Sequence, residues 1–337
     1  MFGRAAAVLV LLLLSVVPVS AARLDDVKTR GFLQCGIGAG TPGFATVGPG
    51  DAWSGLEVDY CRALAAAIFN DPQAVHFILS TTEDRWQSLT SGAIDVLARP
   101  STWTMERDTA MGVSFVGTLF YDGQGFLVKK GAGYASVNDL ENQSVCMQAN
   151  TTTVLNAEDF FATNKIGYHP LTFASRAETI QAFLDGKCAA YSTNAAGLAG
   201  DRSTFATPAD YVILPEIISK EPLAVAVAQG DDQWLKVARW VYFALLDADE
   251  LGVTQKNVDE LVGSDNSEVK RLLGLADEDF GTPIGLTKDW AYRIVKLVGN
   301  YGEIFDRNVG PNSPLALSPG LNALWKDGGI QYAPPIR

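Results

Sequence analysis

The chain has 337 residues, of which 47% are apolar, and it carries a formal net charge of −12. That apolar fraction excludes a disordered chain, and the length exceeds one ordinary core and suits two lobes. A surface this acidic repels phosphate backbones and anionic lipid, which excludes nucleic acid as a partner.

At the N-terminus, Arg4 precedes a continuous apolar run from Ala5 to Val17, which Pro18 breaks before Val19-Ser20-Ala21-Ala22. Charge, apolar core and small-residue exit in that order predict a cleaved signal peptide over 1–22. The run of about 13 residues is short of the roughly 20 that a membrane span needs. Cys35 follows Phe32-Leu33-Gln34 and not a small-residue lipobox, so no lipid anchor is expected. The mature chain is therefore expected to be exported. Its four cysteines then read as two disulfides, with three pairings open. None of them forms a CxxC pair, and His76 and His169 are far apart, so neither a metal nor a cofactor is expected.

In chain order, Phe32 to Ile37 reads as a strand and Leu56 to Phe69 as a helix with apolar residues along one face. Val75 to Leu79 is a strand, Glu83 to Ser91 a helix and Ile94 to Ala98 a strand. A similar series restarts near residue 136, with strand 144–148, helix 152–163, strand 170–173, a helix to Leu184 and strand 188–191. Ser175 and Glu178 make a capping box for that last helix. After strand 211–214 come a connector, an apolar strand over 223–228 and a long amphipathic helix over 231–246. Helical segments continue to Asn300, and the Pro- and Gly-rich tail reads as an ordered wrap. This order predicts an α/β fold of two lobes, each with a mostly parallel sheet flanked by helices. Two crossings, near Gly125 to Lys130 and near Lys220 to Leu223, would form the hinge.

Three segments carry candidate chemistry. Gly38 to Gly43 matches GxGxxG after a strand, but Pro42 and Gly48-Pro49-Gly50 keep a helix from opening there, so a nucleotide cradle is not expected. A loop over a cleft, with Phe44 as its large apolar group, fits better. In Ala98-Arg99-Pro100-Ser101-Thr102-Trp103-Thr104-Met105-Glu106-Arg107, hydroxyls precede a helix start and Arg107 can reach back, which suits a carboxylate. Gln148-Ala149-Asn150-Thr151-Thr152-Thr153 makes the same kind of turn in the second lobe.

Long stretches resemble one family. Gly55-Leu56-Glu57-Val58-Asp59-Tyr60-Cys61-Arg62-Ala63, Tyr121 to Phe126, Leu214 to Leu223, Gly230 to Trp234 and the tail through Arg337 are similar to the periplasmic general amino-acid-binding proteins of ABC importers. The resemblance implies a periplasmic-binding-protein fold with a two-strand hinge, a first lobe of 23–127 plus 222–337 and an inserted lobe of 128–221. It implies a monomer that closes on an amino acid or related carboxylate and delivers it to a membrane permease. The implied ligand set is Arg107 for the α-carboxylate, Thr102 and Thr152 as donors, Phe44 packing on the ligand and Arg99 in the side-chain pocket. Asn194 stands where the family usually has an Asp for the ligand ammonium, and Ala189 replaces another usual Asp. Glu57 or Asp59 are the candidates to compensate, and a ligand without an ammonium is the alternative. With that division the cysteines fall two per lobe, and Cys35 is expected to face Cys61 and Cys146 to face Cys188. The rival readings are a dehydratase-like enzyme on a small carboxylate and a ligand sensor for a membrane receptor. No His accompanies a Ser or Cys motif, so an enzyme is not expected.

Overall fold

The computed structural model describes residues 23–38 and 40–337; the expected signal peptide and Ala39 of the glycine-rich loop lie outside these described residues. Helix α1 (Arg23–Arg30) leads into β1 (Leu33–Ile37), then the short pair β2 (Thr46–Val47) and β3 (Trp53–Ser54) and helix α2 (Leu56–Phe69). β4 (Val75–Leu79), α3 (Arg85–Thr90), β5 (Val96–Ala98), α4 (Met105–Ala110) and β6 (Val113–Asp122) follow. The second series runs β7 (Gln124–Lys129), β8 (Gln143–Gln148), α5 (Thr152–Asn164), β9 (Tyr168–Phe173), α6 (Arg176–Leu184), β10 (Ala190–Asn194), α7 (Ala195–Ser203) and β11 (Tyr211–Ile213). β12 (Glu221–Ala228) then precedes α8 (Asp232–Glu250), α9 (Ser267–Leu272), α10 (Trp290–Leu297) and α11 (Tyr301–Asn308).

Two five-stranded sheets result, ordered β4-β1-β5-β12-β6 and β11-β7-β10-β8-β9. Each has three parallel strands at one side, β4, β1 and β5 or β10, β8 and β9, while β12 and β7 join antiparallel. The sheets are thus mixed and not mostly parallel. The antiparallel strands adjoin the interlobe passages, and a strand entering from the other lobe needs no helical crossover.

The change of sheet falls at Gly123, between β6 and β7, and not over 125–130. A Cβ at Gly123 would come within 2.1 Å of Ile217 Cγ2 and 2.8 Å of Ser219 O, so the two passages lie side at side and only glycine fits. The return falls between β11 and β12, and strand pairing places Glu221 opposite Asp122 in the first sheet. The extended run from Val113 to Lys129 holds three glycines, Gly117, Gly123 and Gly125, and no local pattern marks which of them carries the passage.

Each lobe buries its own core. In the first, α2, α8, α10 and α11 pack on the sheet, with Tyr60, Trp234 and Tyr301 fully buried. In the second, Phe126 and Phe161 centre one cluster and Phe183 and Tyr191 another. The cysteines pair within lobes: Cys35 with Cys61 at a Cα separation of 6.3 Å, and Cys146 with Cys188 at 5.6 Å. Neither bridge spans the hinge.

Candidate ligand-binding cleft

A cavity of about 470 Å³ lies between the lobes, walled by the C-terminal ends of β4, β5, β8 and β10 and the turns that follow them. Ligands of open α/β sheets bind at such strand ends, where loops turn into helix N-termini. The lobes touch across it: Gln148 Nε2 donates to Thr82 Oγ1 at 3.0 Å, and the hydroxyls of Thr102 and Thr152 are 3.3 Å apart.

On the first lobe, the turn after β5 holds its arginines through backbone carbonyls. Thr104 caps α4 by accepting from the Arg107 backbone N–H at 3.3 Å, and Arg107 Nη1 reaches back to donate to Thr102 O at 2.8 Å. Arg107 is only 9% exposed; burial lowers its pKa, and Glu221 and Glu106 act against that. Arg99 donates to Ser80 O at 2.7 Å and Thr82 Oγ1 at 3.2 Å, while its buried Nε has no acceptor among the described residues.

The second lobe contributes neutral groups. Thr151 precedes the first turn of α5 and turns its hydroxyl back to Gln148 O, so the leading N–H groups of a 13-residue helix are left at the cavity. Such N–H groups have no intrahelical acceptor and favour an anion. Thr152, Thr153, Thr193 and Asn194 line the same wall.

Five of the six ligand residues read from the sequence therefore meet in one cavity: Arg99, Thr102, Arg107, Thr152 and Asn194. Phe44 does not. It is 2% exposed, packs edge-on against Phe120 with centroids 5.2 Å apart, and belongs to the first lobe's core. An apolar ring on a loop reads as a ligand platform in sequence, but here the ring turns into the core against Phe120. Asp59 is also removed from the cleft, since Arg62, Arg307 and Asn308 take its carboxylate. Glu57 sits behind Arg99, and burial raises its pKa well above the carboxylate range against the pull of Arg99.

Two further arginines in the wall escaped sequence reasoning. Arg176, at the start of α6, forms a two-point pair with Asp201, Nε to Oδ1 at 3.1 Å and Nη2 to Oδ2 at 2.8 Å, and Tyr191 Oη also donates to Asp201. Arg85, the first residue of α3, has no such pairing. It is 4% exposed, its Nε has no acceptor among the described residues, and burial followed by the like charges of Arg99 and Arg107 pushes its pKa down to about 8. The guanidinium groups of Arg85 and Arg107 both stand over the ring of Trp86, 4.9 and 5.7 Å from its centroid. Of the carboxylates at the cavity, Glu83 is exposed and Glu178 is held in the capping box of α6. The cleft thus concentrates positive charge on one side and neutral donors on the other.

Residues 33–272 match the bacterial extracellular solute-binding proteins, family 3. The chain is 49% identical over 319 residues to the general L-amino acid-binding periplasmic protein AapJ of Rhizobium johnstonii, covering 94% of each. It is 46% identical to the glutamate/glutamine/aspartate/asparagine-binding protein BztA of Rhodobacter capsulatus, again over 94% of each. Among solved structures, an ABC transporter/periplasmic binding protein from Brucella ovis with glutathione bound superposes with a TM-score of 0.93 at 51% identity, over 94% of this chain and 100% of that one. With its two lobes, its interlobe cleft and these relatives, the chain belongs to family 3 of the bacterial extracellular solute-binding proteins.

Proposed function

We propose that this protein is the periplasmic solute-binding component of an ABC import system, and that its ligand is an amino-acid-type compound with two carboxylates. The observation that carries the ligand class is Arg85, a buried guanidinium in the cleft wall whose acting charges are both arginines. A buried cation without an anion is costly, and a carboxylate placed on it recovers that cost. One acid group docks on Arg107 and the leading N–H groups of α5. The second docks on Arg85, with Arg99 beside it. Because both guanidinium groups share the ring of Trp86, one small molecule can span them. Glutamate, aspartate and glutathione have two carboxylates and an ammonium. BztA carries the first two in its name, together with their amides glutamine and asparagine, and the Brucella ovis protein holds the third.

Binding rather than catalysis is supported by the family, whose named relatives are binding proteins. His76 stacks on Phe32 and His169 lies on β9, both exposed and neither at the cavity. One chain supplies both walls of the cleft, which fits a monomer that presents its closed lobes to a membrane permease.

Calorimetric titration of the wild type and Arg85→Gln with L-glutamate, L-aspartate, glutathione and L-glutamine tests the reading. Arg85→Gln is expected to weaken the three diacids at least tenfold and to leave L-glutamine within about threefold, since a tenfold change is ~1.4 kcal/mol. Equal binding of neutral amino acids and diacids by both proteins would overturn it.

A further inference from the structure

Glu221 opens β12 at the point where the chain returns to the first lobe, opposite Asp122 across the ladder. It is 2% exposed and does not line the cavity, yet four donors converge on it. Its Oε2 accepts from the Thr102 hydroxyl of the first lobe and, at 3.2 Å, from the Thr152 hydroxyl of the second. Its Oε1 accepts from Asn156 Nδ2 at 2.5 Å and Ser219 Oγ at 3.1 Å. Asn156 lies one turn along α5 from Thr152.

A hydroxyl has one hydrogen to give. With both directed at Glu221, Thr102 and Thr152 cannot donate those hydrogens to a ligand, and what they offer a carboxylate is backbone N–H. In this arrangement one buried anion sets the spacing between the two threonines.

We propose that Glu221 is a positioning residue that ties closure of the lobes to the carboxylate site, by holding Thr102 of one lobe and the first turn of α5 of the other against a single buried carboxylate. Thr102 is bridged to Leu223 and so moves with the first lobe. Rotation at Gly123 and between Ser219 and Glu221 carries Thr152 and Asn156 away. The open protein then leaves Glu221 short of donors, and closing restores them; a buried carboxylate loses much when its donors are removed. The purpose of this device rests on the binding reading, but its existence is testable without a ligand.

Asn156→Asp places a second carboxylate against Glu221 without altering a cavity residue. The four native cysteines are bridged, so spin labels on cysteines introduced at the exposed positions Lys165 and Glu278 report lobe separation by pulsed EPR. In ligand-free protein, Asn156→Asp is expected to shift the distance distribution to longer values, and affinity for L-glutamate to fall about tenfold, with unfolding still cooperative. If that variant does not fold, Thr152→Val should open the protein and Thr152→Ser should not. Unchanged distances in Asn156→Asp and Thr152→Val would overturn the role of Glu221. Longer distances in a protein that ignores L-glutamate would support Glu221 and tell against the diacid ligand.

Discussion

The two walls of the cleft each present arginines or helix N-termini to the same space, yet they use them differently. The first lobe anchors Arg99 through Ser80 O and Arg107 through Thr102 O, opposes them only with carboxylates outside the cavity, and gives Arg85 no opposing charge. The second lobe's wall has one arginine, Arg176, which Asp201 neutralises; beyond that the wall offers N–H groups, hydroxyls and an amide. The difference separates two tasks. In the binding mode proposed above, charge on the first lobe captures an acid while the cleft is open, and the second lobe adds directional donors that count only after closure.

Substitution of one arginine from each wall should break this comparison most sharply. Arg176→Ala removes one member of a largely buried pair and leaves Asp201 uncompensated, which typically costs about 3–5 kcal/mol. Chemical denaturation is expected to show that loss, while ligand affinity changes far less. Arg107→Ala should do the reverse: loss of a desolvated charged anchor costs about 2–5 kcal/mol of binding, seen by calorimetry, with a nearly unchanged melting temperature. If both variants behaved alike, the division of labour would be wrong.

Asn194 tests the neutral wall. Asn194→Asp should tighten L-glutamate about tenfold by giving its ammonium a charged partner, about 1.4 kcal/mol, and should weaken glutarate, which has none. Titration with both ligands reads the sign, and no change in either would place Asn194 outside ligand contact. The effect expected at the seam appears only as a dependence of stability on pH. Asp122 accepts from the backbone N–H groups of Gly123 at 2.8 Å and Ala196 at 3.1 Å, and burial pushes its carboxyl up to about 7. The folded protein therefore keeps this proton up to about pH 7, whereas the unfolded chain loses it in the ordinary carboxylate range. Stability contributed by that proton is present at low pH and falls by about 1.4 kcal/mol per pH unit as pH rises between the two values. Denaturation of Asp122→Asn should lack this slope between pH 5 and 7 relative to the wild type.

Helix α2 was legible because its apolar spacing is a local signal, and α6 because Ser175 and Glu178 cap each other within three residues. Helix α7 was missed: Ala195 to Ser203 is rich in Ala and Gly and shows no apolar stripe that periodicity could detect. Arg107 and the turn of α5 were likewise readable, since a hydroxyl-rich turn before a helix is a short-range pattern. Arg85 and Arg176 look alike in sequence, each an arginine at the start of a helix. Asp201, which separates their roles, lies 25 residues beyond Arg176.

What the sequence determined by itself was therefore the alternation of elements, the two-lobed class and the positions of turns able to hold an anion, because caps and periodicity act within a few residues. Only the tertiary structure decided that Phe44 is core, that Arg85 is an unbalanced cation and that Glu221 gathers Thr102 and Thr152. Burial and the partners of a buried charge depend on chain segments far apart, as with Thr102, Thr152 and Asn156, which lie 65 to 119 residues from Glu221, and no local pattern encodes them.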